Sequence, residues 1–269
     1  MMKKPRQRLT KSQRARREFI RTAVMTVGVG GFALSTLIPT VKGEKLRIRP
    51  PGAVEEKDFL ASCIKCGQCV QVCPVEAIFL ADVFDGQGLG VPYINARKQA
   101  CDFSCDGLQC VLACPTGSLS HAINYPHEAR MGLAKLQSPD TCLAAMGKGF
   151  KGKVREKGYT GKLRFNAVDR WQPVELNSRL FELEICDLCV RLCPIEIRNE
   201  QCRSQEYPSG DKNQCPPASA IYLKKVSLTS YIPTIVADGC VGCGVCEMVC
   251  PTARPSIVID TQKIRSKVT

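Results

Sequence analysis

Cysteine is the residue through which this sequence can do chemistry: it supplies 18 of the 269 residues, and most of the 18 fall in groups with a shared spacing. Residues 63–74 read CIKCGQCVQVCP, with Cys63, Cys66, Cys69 and Cys73 ahead of Pro74. Residues 240–251 read CVGCGVCEMVCP, with Cys240, Cys243, Cys246 and Cys250 ahead of Pro251. The run C-x2-C-x2-C-x3-C-P suits a [4Fe–4S] cluster, its fourth cysteine ligating a neighbouring cluster. A tight loop with a glycine (Gly67, Gly244) lets three thiolates converge on one cube, and proline suits the first turn of a helix starting after the fourth. Zinc sites usually pair two C-x2-C knuckles across a longer gap.

Two further groups are looser. CDFSCDGLQCVLACP places Cys101, Cys105, Cys110 and Cys114 ahead of Pro115, keeping the terminal C-x3-C-P behind wider spacings. CDLCVRLCP places Cys186, Cys189 and Cys193 ahead of Pro194 and is one cysteine short. Its missing ligand must come from Cys142, Cys202 or Cys215.

The elements expected to position these groups are short. AIFLA at 77–81, AIYL at 220–223, YIPTIV at 231–236 and SIVI at 256–259 are β-branched and apolar, with Pro or Gly nearby, and read as short strands. Aromatic residues make up 6% of the chain, too few for a large conventional core. Something else must help hold the globule together, and metal clusters can do this, because ligand–metal bonds form as the chain folds. Residues 148–170, Gly-rich and carrying eight basic residues against two acids, read either as a solvated loop or as a docking arm for an acidic partner or an anionic membrane surface. Trp171 follows them.

Charge excludes one class of function. Of the formal +13, residues 1–49 carry +11, with 13 Lys or Arg against Glu18 and Glu44. The remainder is close to neutral, so the basic balance marks the N-terminus and not a nucleic-acid surface. Residues 1–21 contain Arg16-Arg17 and are followed by an uncharged stretch from Thr22 to Val41. A basic region before an apolar one is the plan of an export signal, and the arginine pair points to the twin-arginine route, which carries folded proteins. Residues 1–45 are thus expected to be a signal, with 22–41 a possible membrane anchor, and the mature protein is expected in the periplasm. Neither His121 nor His127 is needed as a ligand. No nucleotide loop, nucleophile elbow or zinc-protease motif is present, so an electron carrier is expected and not an enzyme.

The chain resembles the ferredoxin-type proteins of periplasmic nitrate reduction and methylamine utilisation, the NapG/MauM type. The resemblance rests on the paired arginines, LRIRPPGAVEEKDFLASCIKCGQCVQVCP at 46–74, ARMGLAKL at 129–136 and the four cysteine groups in order. It implies that Cys142 completes the third group and that four [4Fe–4S] clusters are held. An insertion at 148–183 between Cys142 and Cys186 departs from the family pattern. Related four-cluster subunits imply an α+β fold of two ferredoxin-like modules, the outer one built from both chain ends. Residues 46–98 with 220–269 would form the outer module and 99–219 the inner one. Cys63, Cys66 and Cys69 would then share a cluster with Cys250, and Cys240, Cys243 and Cys246 with Cys73. Likewise Cys101, Cys105 and Cys110 would join Cys193, while Cys142, Cys186 and Cys189 would join Cys114.

Cys202 and Cys215 remain. A disulfide suits two spare cysteines in an exported protein; Cys215, followed by Pro216, is the alternative ligand, and free thiols are the third possibility. The resemblance implies a relay of electrons from a membrane-bound, quinol-oxidising iron–sulfur protein to a periplasmic reductase or dehydrogenase. The competing readings are a maturation factor for such an enzyme, the iron–sulfur subunit of a molybdoenzyme complex, and a zinc-based interaction protein.

Overall fold

The computed structural model describes residues 11–41, 47–82, 88–105, 107–155, 158–164, 174–207 and 210–262, with side chains absent from the description over 29–41. The chain divides into two units, Met1–Lys45 with Asp82–Gln87 and Leu46–Ala81 with Gly88–Thr269. In the first, helix α1 runs over Lys11–Val41 and carries the paired arginines on exposed positions. Among the described residues no helix is long and apolar enough to cross a membrane, which does not support the anchor expected over 22–41. Residues 1–10 and Trp171 lie outside the described residues.

The second unit is α+β and is built twice over. Its first half holds α2 (Glu56–Ser62), α3 (Gln68–Gln71), β1 (Ile78–Leu80), β2 (Pro92–Ile94) and α4 (Gln109–Leu112). β1 and β2 pair antiparallel, Ile78 opposite Ile94, and isolated bridges join Ile48 to Ile94 and Ala53 to Leu119. The second half begins at β3 (Leu133–Leu136) and, after an insertion, continues through α5 (Leu188–Arg191), α6 (Pro194–Arg203), β8 (Ile221–Lys225), β9 (Tyr231–Ile235), α7 (Val245–Met248) and β10 (Ile257–Asp260). β8 pairs with β9 and β3 with β10, both antiparallel. The four apolar segments read as strands are therefore strands.

The two halves, roughly residues 47–128 and 129–262, hold separate strand pairs, and among the described residues none joins 46–98 to 220–269 as the nested arrangement implied. Each closes on itself: the Ala53–Leu119 bridge joins the start and end of the first, and β3–β10 joins those of the second. Chain entropy alone would not decide this. Closing a loop from Cys63 to Cys114 in place of one to Cys250 saves only about 1 kcal/mol. The strand pairings decide it, because they carry the fourth cysteine of each motif to its sequence neighbour.

The segments that carry the resemblance are tightly packed. Gly52 sits at φ 77°, where a Cβ would meet the Ser120 carbonyl at 3.1 Å. Beside it buried Arg49 donates to both oxygens of Glu56 and to the Pro92 carbonyl. In ARMGLA, Met131 donates its N–H to Val241, and Gly132 lies against Gly242 so closely that a Cβ on Gly242 would overlap it.

The insertion corrects the solvated-loop reading. Strands β4 (Phe150–Gly152) and β7 (Phe181–Leu183) pair outside β5 (Lys162–Leu163) and β6 (Val174–Glu175), a nested antiparallel arm. Its near half is bonded to the body: Tyr159 Oη donates to Lys98, Arg155 to Arg97 and Met248, and the Arg164 N–H to Asp102. Strands of two or three residues carry no period that sequence patterning could detect.

Candidate iron–sulfur sites

Each cysteine motif puts its third cysteine into a single helical turn: Cys69 in α3, Cys110 in α4, Cys189 in α5 and Cys246 in α7. The turn is entered through a left-handed residue in three of them, Gly67 at φ 73°, Leu108 at φ 49° and Gly244 at φ 89°. Such a kink folds the preceding cysteines back over the turn. Glycine was the readable signal for the first and last groups. The second uses Gly107 and Leu108 in succession, both at positive φ, and holds the strained Leu108 in place by burying it.

Prolines after the fourth cysteine behave differently from expectation. Only Pro194 starts a helix, α6. Pro74 and Pro115 open turns, and Glu76 and Gly117 adopt positive φ immediately beyond them. A chain that reverses so soon has no room for a helical turn.

The sixteen cysteines expected as ligands gather into four sets of four, and every set takes three from one motif and the fourth from its neighbour. Cys63, Cys66 and Cys69 line one cavity with Cys114, here called site A. Cys73 lies close enough to Cys101, Cys105 and Cys110 for its charge to raise all three thiols, and these four are here called site B. Cys240, Cys243 and Cys246 line a cavity with Cys193, site C. Cys142, Cys186 and Cys189 line one with Cys250, site D. All four pairings carried over from related four-cluster subunits are thereby corrected. Cys142 lies with Cys186 and Cys189 despite the insertion, since the outer ladder of the nested arm returns the chain beside it: Cys186 donates its N–H to Lys148. Cys215 is excluded as a ligand, being bonded to Cys202 in a disulfide.

The donor sets fit [4Fe–4S] clusters, one thiolate for each iron of a cube. Among the described residues no three or more His, Cys, Asp or Glu converge as they would on a single metal ion. In sites A, C and D the thiols line a cavity instead. Burial raises several of them: Cys69 and Cys186 are each pushed up to about 11 and Cys193 to about 12, with neighbouring thiols adding to burial for Cys69 and Cys186. Four thiolates close together in such surroundings require a cationic core to offset them.

Backbone and hydroxyl groups also reach the sulfurs. Cys73 accepts from the Ala77 N–H at 3.3 Å, Cys114 from Leu119 at 3.5 Å, Cys240 from Ala134 at 3.5 Å and Cys250 from Ser256 at 3.3 Å. Thr116 and Thr252 stand beside Cys114 and Cys250 at 3.8 and 3.0 Å. Hydrogen bonds to ligating sulfur help set a cluster's potential. These groups escaped sequence reasoning, although the repeated C-P-T at 114–116 and 250–252 was a visible signal for the two threonines.

The sites run in series. α3 packs on α4 and α5 on α7, placing A beside B and C beside D. Between modules, the Cys101 N–H donates to the Cys243 carbonyl, joining B to C. Cys66 of site A is exposed, whereas all four cysteines of site C are buried. His127, the partly buried one of the two histidines, stacks on Tyr125 with ring centroids 5.6 Å apart.

A 4Fe-4S dicluster domain matches residues 62–118, the two motifs of the first module, and a 4Fe-4S binding domain matches 233–253. The chain is 32% identical over 259 residues to the ferredoxin-type protein NapG of Escherichia coli, covering 94% of this chain and 88% of that protein. It is 34% identical over 246 residues to the methylamine utilization ferredoxin-type protein MauM of Paracoccus denitrificans, covering 90% and 85% respectively. No solved structure matches the chain. With [4Fe–4S] domains in both halves and near-full-length likeness to these relatives, the chain is a ferredoxin-type iron–sulfur electron-transfer protein, an electron carrier belonging to the NapG/MauM family.

Proposed function

We propose that the protein carries four [4Fe–4S] clusters, in the order A, B, C, D, and relays electrons from a membrane-bound, quinol-oxidising iron–sulfur partner to a periplasmic reductase or dehydrogenase. The observation that carries this reading is the serial arrangement of four four-cysteine sets, with the B–C junction closed by the Cys101–Cys243 hydrogen bond. When bound, each cluster supplies one-electron transfer with little rearrangement of its surroundings. The residues exclude water from site C, hold the sulfurs by backbone N–H groups, and leave site A open to a partner at Cys66.

Export by the twin-arginine route is part of this proposal. Arg16 and Arg17 stand exposed on α1, and the Cys202–Cys215 disulfide suits an oxidising compartment. A route that carries folded proteins lets the clusters be inserted before export.

Deletion of the gene separates relay from maturation. The relay predicts a downstream enzyme that keeps its own cofactor and responds to an artificial electron donor, yet receives no electrons from quinol. An enzyme isolated without its cofactor would overturn the relay in favour of a maturation role.

A further inference from the structure

Helix α6 carries a charge that none of the four ligand sets uses. Arg198 is only 1% exposed, among the most completely buried side chains in the protein. Its guanidinium donates to the Phe103 carbonyl, in the loop between Cys101 and Cys105 of site B. It also donates to the carbonyl of Pro194 at 3.1 Å, the residue after Cys193 of site C. One cation therefore touches the backbone of both middle sites, on the same junction that the Cys101–Cys243 bond closes.

We propose that Arg198 is a positioning residue whose buried positive charge raises the reduction potentials of sites B and C together. The inference rests on the four-site reading above. A cluster gains negative charge on reduction, and a cation held in a poorly solvated interior stabilises that charge more than a solvated one would. Burial pushes the Arg198 guanidinium down only to about 10, so it stays charged at neutral pH, and the thiols of Cys105, Cys101 and Cys243 all lie within its field.

The charge of opposite sign here is Asp102, also 1% exposed, whose carboxylate accepts from the N–H groups of Ser104 and Arg164. Those two donors hold it beside Cys101. Neutralising Arg198 would remove the cation and leave the Asp102 charge without its counterpart, and both changes disfavour an added electron at the junction. A hydrogen-bonding tie alone would need the donors and not the charge, and that difference is testable.

The test is an EPR-monitored redox titration of the full chain carrying its clusters, with iron content measured, for wild type, Arg198→Lys and Arg198→Gln. At wild-type iron content, R198Q is expected to lower two of the midpoints. The expected shift is at least tenfold in the reduced-to-oxidised ratio, about 59 mV for a one-electron couple. R198K is expected to stay near wild type, and the remaining two midpoints should not move. Unchanged midpoints in R198Q, an equal shift in R198K, or loss of iron from either variant would overturn the proposal. About eight irons in the unmodified chain would overturn the four-site reading, and this inference with it.

Discussion

The backbone N–H of Cys101 donates to the carbonyl of Cys243 at 3.4 Å, linking a ligand of the first module directly to a ligand of the second. Two modules, each complete in its own strand pairing, are thereby joined at their innermost sites. Arg97 reinforces the junction by donating to the carbonyls of Glu247, Cys250, Thr252 and Ala253, the end of α7 and the turn after it.

Neighbour exchange of the fourth cysteine gives the first prediction. Cys73→Ser should alter the spectrum of the site formed by Cys101, Cys105 and Cys110, leaving that of Cys63, Cys66 and Cys69 unchanged. Cys250→Ser should likewise alter site D and not site A. EPR of the reduced variants reads this. A change in site A on replacing Cys250 would restore the nested arrangement.

Gly242 gives the second. It adopts φ 71°, and a Cβ there would overlap the backbone of Gly132. A side chain is penalised by both conformation and space, at about 1–3 kcal/mol for the conformation alone. Gly242→Ala should reduce iron in the second module while the first stays loaded. Full iron content in this variant would show that the ARMGLA segment and the site C loop are not in contact.

The disulfide gives the third. Cys202 and Cys215 are 13 residues apart, and closing so short a loop contributes about 2–3 kcal/mol through the unfolded chain. The double variant Cys202→Ser, Cys215→Ser should lose that much unfolding free energy in urea titrations under anaerobic conditions, with iron per chain unchanged. Loss of about a quarter of the iron would instead make Cys215 a ligand.

Alkaline titration of the iron-free protein gives the fourth. A free thiol titrates near about 8.5, whereas the folded values for Cys69 and Cys186 rise to about 11 and for Cys193 to about 12. The fold thus favours the protonated thiols. Their contribution is fully present below about pH 8.5 and is lost as pH rises through 11 to 12. Urea midpoints of the iron-free protein should fall across that range. Those of the loaded protein should hold, because bound thiolates have no proton to lose. Parallel declines would remove thiol burial as the cause.

Much of this was readable from residues alone, and the remainder was hidden for definite reasons. Cys63–Pro74 and Cys240–Pro251 declare their chemistry by spacing, and the strands beside them declare themselves by composition. Spacing says that a fourth cysteine leaves its own site, but not which neighbour receives it. The answer lies in contacts between Ala53 and Leu119 and between β3 and β10, which are long-range. Leu108 does the work of a glycine because burial offsets its strain, and no rule of composition anticipates that. Arg198 sits in PIEIRNEQCR, a run that reads as an ordinary polar helix. Its burial follows only from the modules coming together.

The measurement that bears most directly on the central claim is iron and acid-labile sulfide per chain, on protein purified anaerobically, with EPR during stepwise reduction. Four sites in series predict about sixteen of each and magnetic interaction between neighbouring clusters. About eight of each would mean that only two sites fill, and would contradict the serial account.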